Sequence, residues 1–98
     1  MTLGKVVGTV VATQKDDGLK GFTLQIIQHI DCQTLQPGGG YLVAVDSLGA
    51  GRGEVVLCTG GSSARLTSAT QDRPVDAVVV AIVDTLEVEG EPVYRKNG

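Results

Sequence analysis

Aromatic side chains are nearly missing from this sequence. One Phe, two Tyr and no Trp stand among 98 residues, so the chain lacks the stacking platforms that single-strand nucleic-acid binders set along a basic groove. The basic groove is missing too. Eight Lys and Arg face eleven Asp and Glu, a formal net charge of -3, and the only adjacent cations are Arg95 and Lys96. Nucleic acid is not an expected partner. No apolar run approaches the roughly 20 residues of a membrane span, and the first residues lead into a strand-like run without the apolar stretch and cleavage site of a secretory signal. A soluble, cytoplasmic protein without a membrane partner is expected.

Histidine and cysteine are scarce as well. His29 would have to serve as the base for Ser47, Ser62 or a cysteine in any hydrolytic triad, and no nucleophile elbow surrounds those residues. On a strand His29 and Cys32, three apart, would point to opposite faces unless a turn at Asp31 brought them together, which argues against a metal site completed by Cys58. Cys32 and Cys58 are expected to be free and buried. No enzyme activity, catalytic residue, metal or cofactor is expected.

What is present is valine, leucine, isoleucine and alanine, with 14 glycines. A core of β-branched and small side chains favours strands, and the length suits one domain spanning residues 1–98. Lys5 to Thr13 reads as the first strand, with Gly8 at a bulge. Phe22, Leu24 and Ile26 alternate with polar residues in a second strand running toward Ile30. Tyr41 to Val45 and Val55 to Thr59 make two more, and Ala77 to Leu86 reads as the longest and most buried. Ser62 offers an N-cap for one short helix through Leu66, and residues 87 to 94 alternate around Gly90 as a terminal hairpin or edge strand. The expected fold is mainly β: a small five-stranded barrel, closed or nearly closed, because closure removes exposed edges.

Between the third and fourth strands lies Asp46-Ser-Leu-Gly-Ala-Gly-Arg-Gly-Glu54. Three alternate glycines leave the backbone bare, a mark of a forced turn or of close approach by something else. A phosphate cradle is excluded by the missing Lys-Ser/Thr, by glycine spacing that is not GxGxxG, and by a following strand in place of a helix. Asp46 and Glu54 bracket the loop. They are expected to cap its N–H groups or to pair with Arg52 or Arg65, and not to act as an acid-base pair. Asp84, in an apolar strand, needs a buried partner, for which Arg65 is the candidate.

Taken together, Val43-Ala-Val-Asp-Ser-Leu-Gly-Ala-Gly-Arg-Gly-Glu54, Gly61-Ser-Ser-Ala-Arg65 and Ala81-Ile-Val-Asp84 resemble the CcmL/EutN family of bacterial microcompartment vertex proteins. Gly4-Lys-Val-Val-Gly-Thr-Val-Val-Ala-Thr13, with Leu19-Lys-Gly21 after it, looks like the family's N-terminal signature. The resemblance implies an OB-like barrel that forms a homo-pentamer at the corners of a polyhedral shell, as in carboxysomes, beside hexameric facet proteins. The rival reading is an OB-type module that binds nucleic acid or another ligand, which rests on strand content alone.

The resemblance also implies where residues sit. Ser47, Leu48, Gly49, Ala50, Gly51, Arg52 and Gly53 would form the loop around the five-fold axis. Glu54, Ser62, Ser63, Ala64, Arg65 and Asp84 would lie at the subunit interface, with Arg65 paired to Asp84 or Glu54. Arg52 departs from the family, much of which has an uncharged residue here. Five inward guanidinium groups would repel one another, so Arg52 is expected to turn outward. Leu48 stays open between pore lining and packing.

Overall fold

Alternating apolar residues curl this chain into a barrel. The computed structural model describes residues 1–61, 64, 66–67, 70–71 and 76–97. Five strands close the barrel in the order β1-β2-β3-β5-β4: β1 (Thr2–Val10), β2 (Thr23–Ile30), β3 (Pro37–Asp46), β4 (Val55–Gly60) and β5 (Ala77–Ile82). Two further strands, β6 (Thr85–Val88) and β7 (Glu91–Arg95), form a separate antiparallel hairpin. All barrel pairings are antiparallel except that of β3 with β5, which meet in parallel at Val45 and Val78. The strand order is that of an OB-type barrel.

A bulge bends the first strand. The β1–β2 register shifts between Val6 and Gly8, as expected at this glycine, and Val7 is the extra residue. A bulge bends and twists its strand. On one side of the bulge, Thr2 to Lys5 pair with β4, and Gly4 and Lys5 also pair with β2; beyond it, Gly8 to Val10 pair with β2 alone. At Gly4 the neighbouring strand passes so close that a Cβ would stand 2.9 Å from the Gln28 carbonyl oxygen. Glycine is a packing requirement there.

The side chains sort into two layers. Val6, Ile27, Ala44, Val56, Cys58 and Val79 fill the interior. Outside the sheet, Val45, Ala64 and Val78 make a second cluster with Leu19, Phe22, Leu24 and Val80. A 3-10 turn, Asp17–Leu19, caps this side, with the Gly18 N–H donating to Asp16 Oδ1 at 2.7 Å. The helix expected from Ser62 falls on residues that are mostly outside those described.

Three expectations about strands are corrected. The longest strand is β3, not the segment from Ala77, because Gly38, Gly39 and Gly40 extend β3 ahead of the expected start at Tyr41. The strand from Ala77 stops at Ile82, one ladder bond short of the start of β4, with the Val83 N–H still donating to the Val55 carbonyl at 2.8 Å. Asp84 therefore lies in the passage to β6, where it is exposed and needs no buried partner. Cys58 is buried and free as expected, whereas Cys32 is free but exposed in the turn after β2. Among the described residues, no helix is long and apolar enough to cross a membrane.

Candidate functional site

The glycine loop, residues 47–53, closes one end of the barrel. Its fixed point is Asp46, the last residue of β3, whose side chain points inward and is 3 % exposed. The Leu48 N–H donates to Asp46 Oδ1 at 2.8 Å and the Ala50 N–H to Oδ2 at 2.8 Å. Gln25 lies beside it on β2, again facing inward. Its Nε2 donates to Asp46 Oδ2 at 3.2 Å and to the Ala50 carbonyl at 2.9 Å, and its Oε1 accepts from Thr9 Oγ1 at 3.0 Å. A buried carboxylate is tolerated here because charge-assisted hydrogen bonds replace its water.

The far end of the loop is tied to β1. The Gly53 N–H donates to the Val6 carbonyl at 2.8 Å and the Val6 N–H to the Glu54 carbonyl at 3.0 Å, so the ladder continues into the loop beside the bulge. Glu54 Oε1 accepts from the Gly51 N–H at 2.6 Å. Its other oxygen lies 2.8 Å from Lys96 Nζ. Lys96 and the Gly51 N–H together hold the Glu54 carboxyl below its usual range, and Glu54 holds the Lys96 ammonium above its own. The expected capping by Asp46 and Glu54 is thus what the loop uses. The charged partner of Glu54 is Lys96, a contact that no local pattern announces, since the two stand 42 positions apart in the chain.

The loop residues do not all face the same way. Ala50 is buried in the barrel core with Val6 and Cys58, and it plugs the end of the barrel. Ser47, Leu48, Gly49, Gly51, Arg52 and Gly53 are exposed. Gly49 and Gly53 have φ of +81° and +92°, a left-handed backbone that other residues adopt only with strain. Among the described residues Arg52 makes no ion pair; it lines an open groove with Lys5 and Gln28. Ala64 is fully buried in the outer cluster, and its carbonyl accepts from Thr70 Oγ1. Ser62, Ser63 and Arg65 lie outside the described residues.

Burial also raises the Cys58 thiol, with the nearby Asp46 charge adding to the effect, to about 11. That thiol is protonated and inert at neutral pH.

Comparison with known proteins gives the family of the chain. The family model for the ethanolamine utilisation protein EutN/carboxysome family matches residues 1–84. The chain belongs to the EutN/CcmL family. The carboxysome shell vertex protein CcmL of Gloeobacter violaceus is 45% identical over 97 residues, covering 99% of this chain and 96% of that protein; the Gloeobacter CcmL structure superposes with a TM-score of 0.92 over all of both chains. The microcompartment shell vertex protein EutN of Salmonella typhimurium is 42% identical over 98% of this chain and 96% of its own. GrpN of Rhodospirillum rubrum, whose structure is described as a pentameric microcompartment shell protein, covers 90% of this chain and 100% of its own with 46% identity and a TM-score of 0.79. The family match ends at Asp84, and the β6–β7 hairpin begins at the next residue.

Gln25 and Thr9 were not singled out by the sequence. The available signal was a Gln at a position where the period-two pattern of β2 demands an inward side chain.

Proposed function

We propose that this protein is a structural, non-enzymatic shell component that assembles as a ring of five copies and occupies the vertices of a polyhedral bacterial microcompartment in the cytoplasm, next to hexameric facet proteins. The observation that carries this reading is end-to-end similarity to proteins that are themselves shell vertex proteins, among them a pentameric one. The physical logic agrees. Six-fold tiles alone make a flat sheet, and five-fold tiles supply the corners that close it, through one head-to-tail contact repeated around an axis.

In this reading the exposed part of the glycine loop, Ser47 to Gly49 and Gly51 to Gly53, surrounds the five-fold axis, where five copies crowd and small residues fit. Ala50 supports the loop from inside the barrel. Glu54 and Asp84, with Ser62, Ser63 and Arg65, are assigned to the contact between subunits, whereas Ala64, expected there, is fully buried in its own chain and supports the contact from within the outer cluster. Native mass spectrometry tests the reading: a species of five 10.1 kDa chains, about 50 kDa, is expected. A strict monomer at micromolar concentration overturns it, and a six-copy ring overturns the vertex role.

A further inference from the structure

The β6–β7 hairpin needs a partner that its own chain does not supply. An isolated two-stranded hairpin is at best marginally stable in water, and β6 and β7 pack extensively only on each other among the described residues. Its tip is a two-residue turn, Glu89-Gly90, with both φ positive (+53° and +81°). Glu87, Glu89 and Glu91 are all exposed and carry no ion pair among the described residues. Between them on β6, Val88 is half-buried. The tip is therefore an acidic element with an apolar residue at its centre.

A groove of complementary character lies on the barrel. It has a volume of about 390 Å³, with Val7, Ile30, Leu35 and Pro37 as its apolar wall and Lys5 and Arg52 as its cations. Lys5, like Arg52, has no ion-pair partner among the described residues. The base of the hairpin is fastened next to this groove, through Lys96 to Glu54 and through the Lys96 N–H to the Asp84 carbonyl at 2.8 Å. At roughly 3.3 Å per residue, β7 carries the tip about 15 Å from that fastening. A straight ladder cannot fold back over that distance, so the tip does not fill the groove of its own subunit. The molecule measures 43 × 24 × 24 Å, an elongation that leaves room for a projecting arm.

We infer that the β6–β7 hairpin of one copy docks its acidic tip into the Lys5/Arg52 groove of the next copy around the ring. This rests on the ring assembly proposed above and names one of its contacts. Arm and groove are different surfaces on one chain, the heterologous arrangement that a cyclic assembly repeats. The contact also gives Arg52 a destination away from the axis, and it places an extra clasp in a segment beyond the family match.

Charge exchange tests it, with ring dissociation followed by native mass spectrometry and sedimentation at several salt concentrations. Reversing the groove (Lys5→Glu with Arg52→Glu) or the tip (Glu87→Lys, Glu89→Lys and Glu91→Lys) is expected to weaken the ring about tenfold or more, and the combined protein is expected to regain most of the loss. All substituted positions are exposed, and circular dichroism checks that each variant folds. If the wild type forms the five-copy ring but the two reversals are without effect or simply add, the inference falls and the ring reading stands. If the wild type forms no ring, the ring reading itself falls. If tip reversal spares the ring and instead abolishes binding to a six-fold facet tile, the arm serves that tile, and docking on a second copy is overturned.

Discussion

Lys96 reaches Glu54 at 2.8 Å and joins the C-terminal hairpin to the end of the glycine loop. Glu54 is also the residue whose second oxygen holds the Gly51 N–H. One carboxylate thus fastens both the loop and the arm, and the two cannot be perturbed independently at this point.

The pair gives a pH expectation. Glu54 has a depressed pKa, so its contribution is present above the usual value of 4.5 and is lost as pH falls through the lower folded value. Lys96 has a raised one, so its contribution is present below 10.5 and is lost as pH rises through the higher folded value. Carbon-detected NMR titration should place the Glu54 midpoint below that of a free glutamate. In Lys96→Met the midpoint should move upward, and the amides at the base of the hairpin should exchange faster.

Asp46→Ala removes the acceptor for three donors in a closed space. Leaving the Leu48 and Ala50 N–H groups and Gln25 Nε2 without it should lower stability by about 2–4 kcal/mol, measured by urea unfolding. Gln25→Ala should cost less, because it leaves the two backbone bonds to Asp46 intact.

Gly4→Ala places a methyl group 2.9 Å from the Gln28 carbonyl oxygen, at the seam where β1 pairs with both neighbours. The strands must part to admit it, and a loss of about 1–3 kcal/mol is expected in thermal or urea melts. Gly21→Ala is a useful contrast. No atom lies near its Cβ, and the penalty comes from φ alone.

The two cysteines should behave as opposites toward thiol reagents. At pH 8 Cys32 should label at once, while Cys58 should label only on the timescale of unfolding, since burial pushes its thiol up to about 11. The sign for stability follows. An unfolded Cys58 ionises from about pH 9 and the folded one does not, so stability should fall more steeply above pH 9 in the wild type than in Cys58→Ala.

Much of the barrel was legible because burial imposes period two on a strand: Leu24 to Ile27 and the valines of β4 and β5 could sit in few other ways. The bulge at Gly8 and the capping roles of Asp46 and Glu54 were legible for local reasons, as glycine and short acidic side chains act within a few residues of themselves. Long-range contacts were not. Nothing in the surroundings of Lys96 points to Glu54, and nothing around Gln25 marks it as a partner of Asp46. Gly38 to Gly40 misled in the other direction, since glycines that usually break a strand can enter a ladder when a neighbour supplies the register, as Tyr41 opposite Gln28 does here. Asp84 was misplaced because the end of a strand is set by where its partner stops, and β4 begins at Val55, opposite Val83, so Asp84 has no residue of β4 to pair with.

The amides of Leu48, Ala50, Gly51 and Gly53 are all spoken for within one chain. In the proposed ring, a neighbour meeting this rim would find a surface already in its final shape, so little chain entropy would be lost on contact and no folding step would separate encounter from docking. Subunit addition can then run at the speed of rigid-body association and reverse by the same route, which lets a misjoined ring come apart and close again.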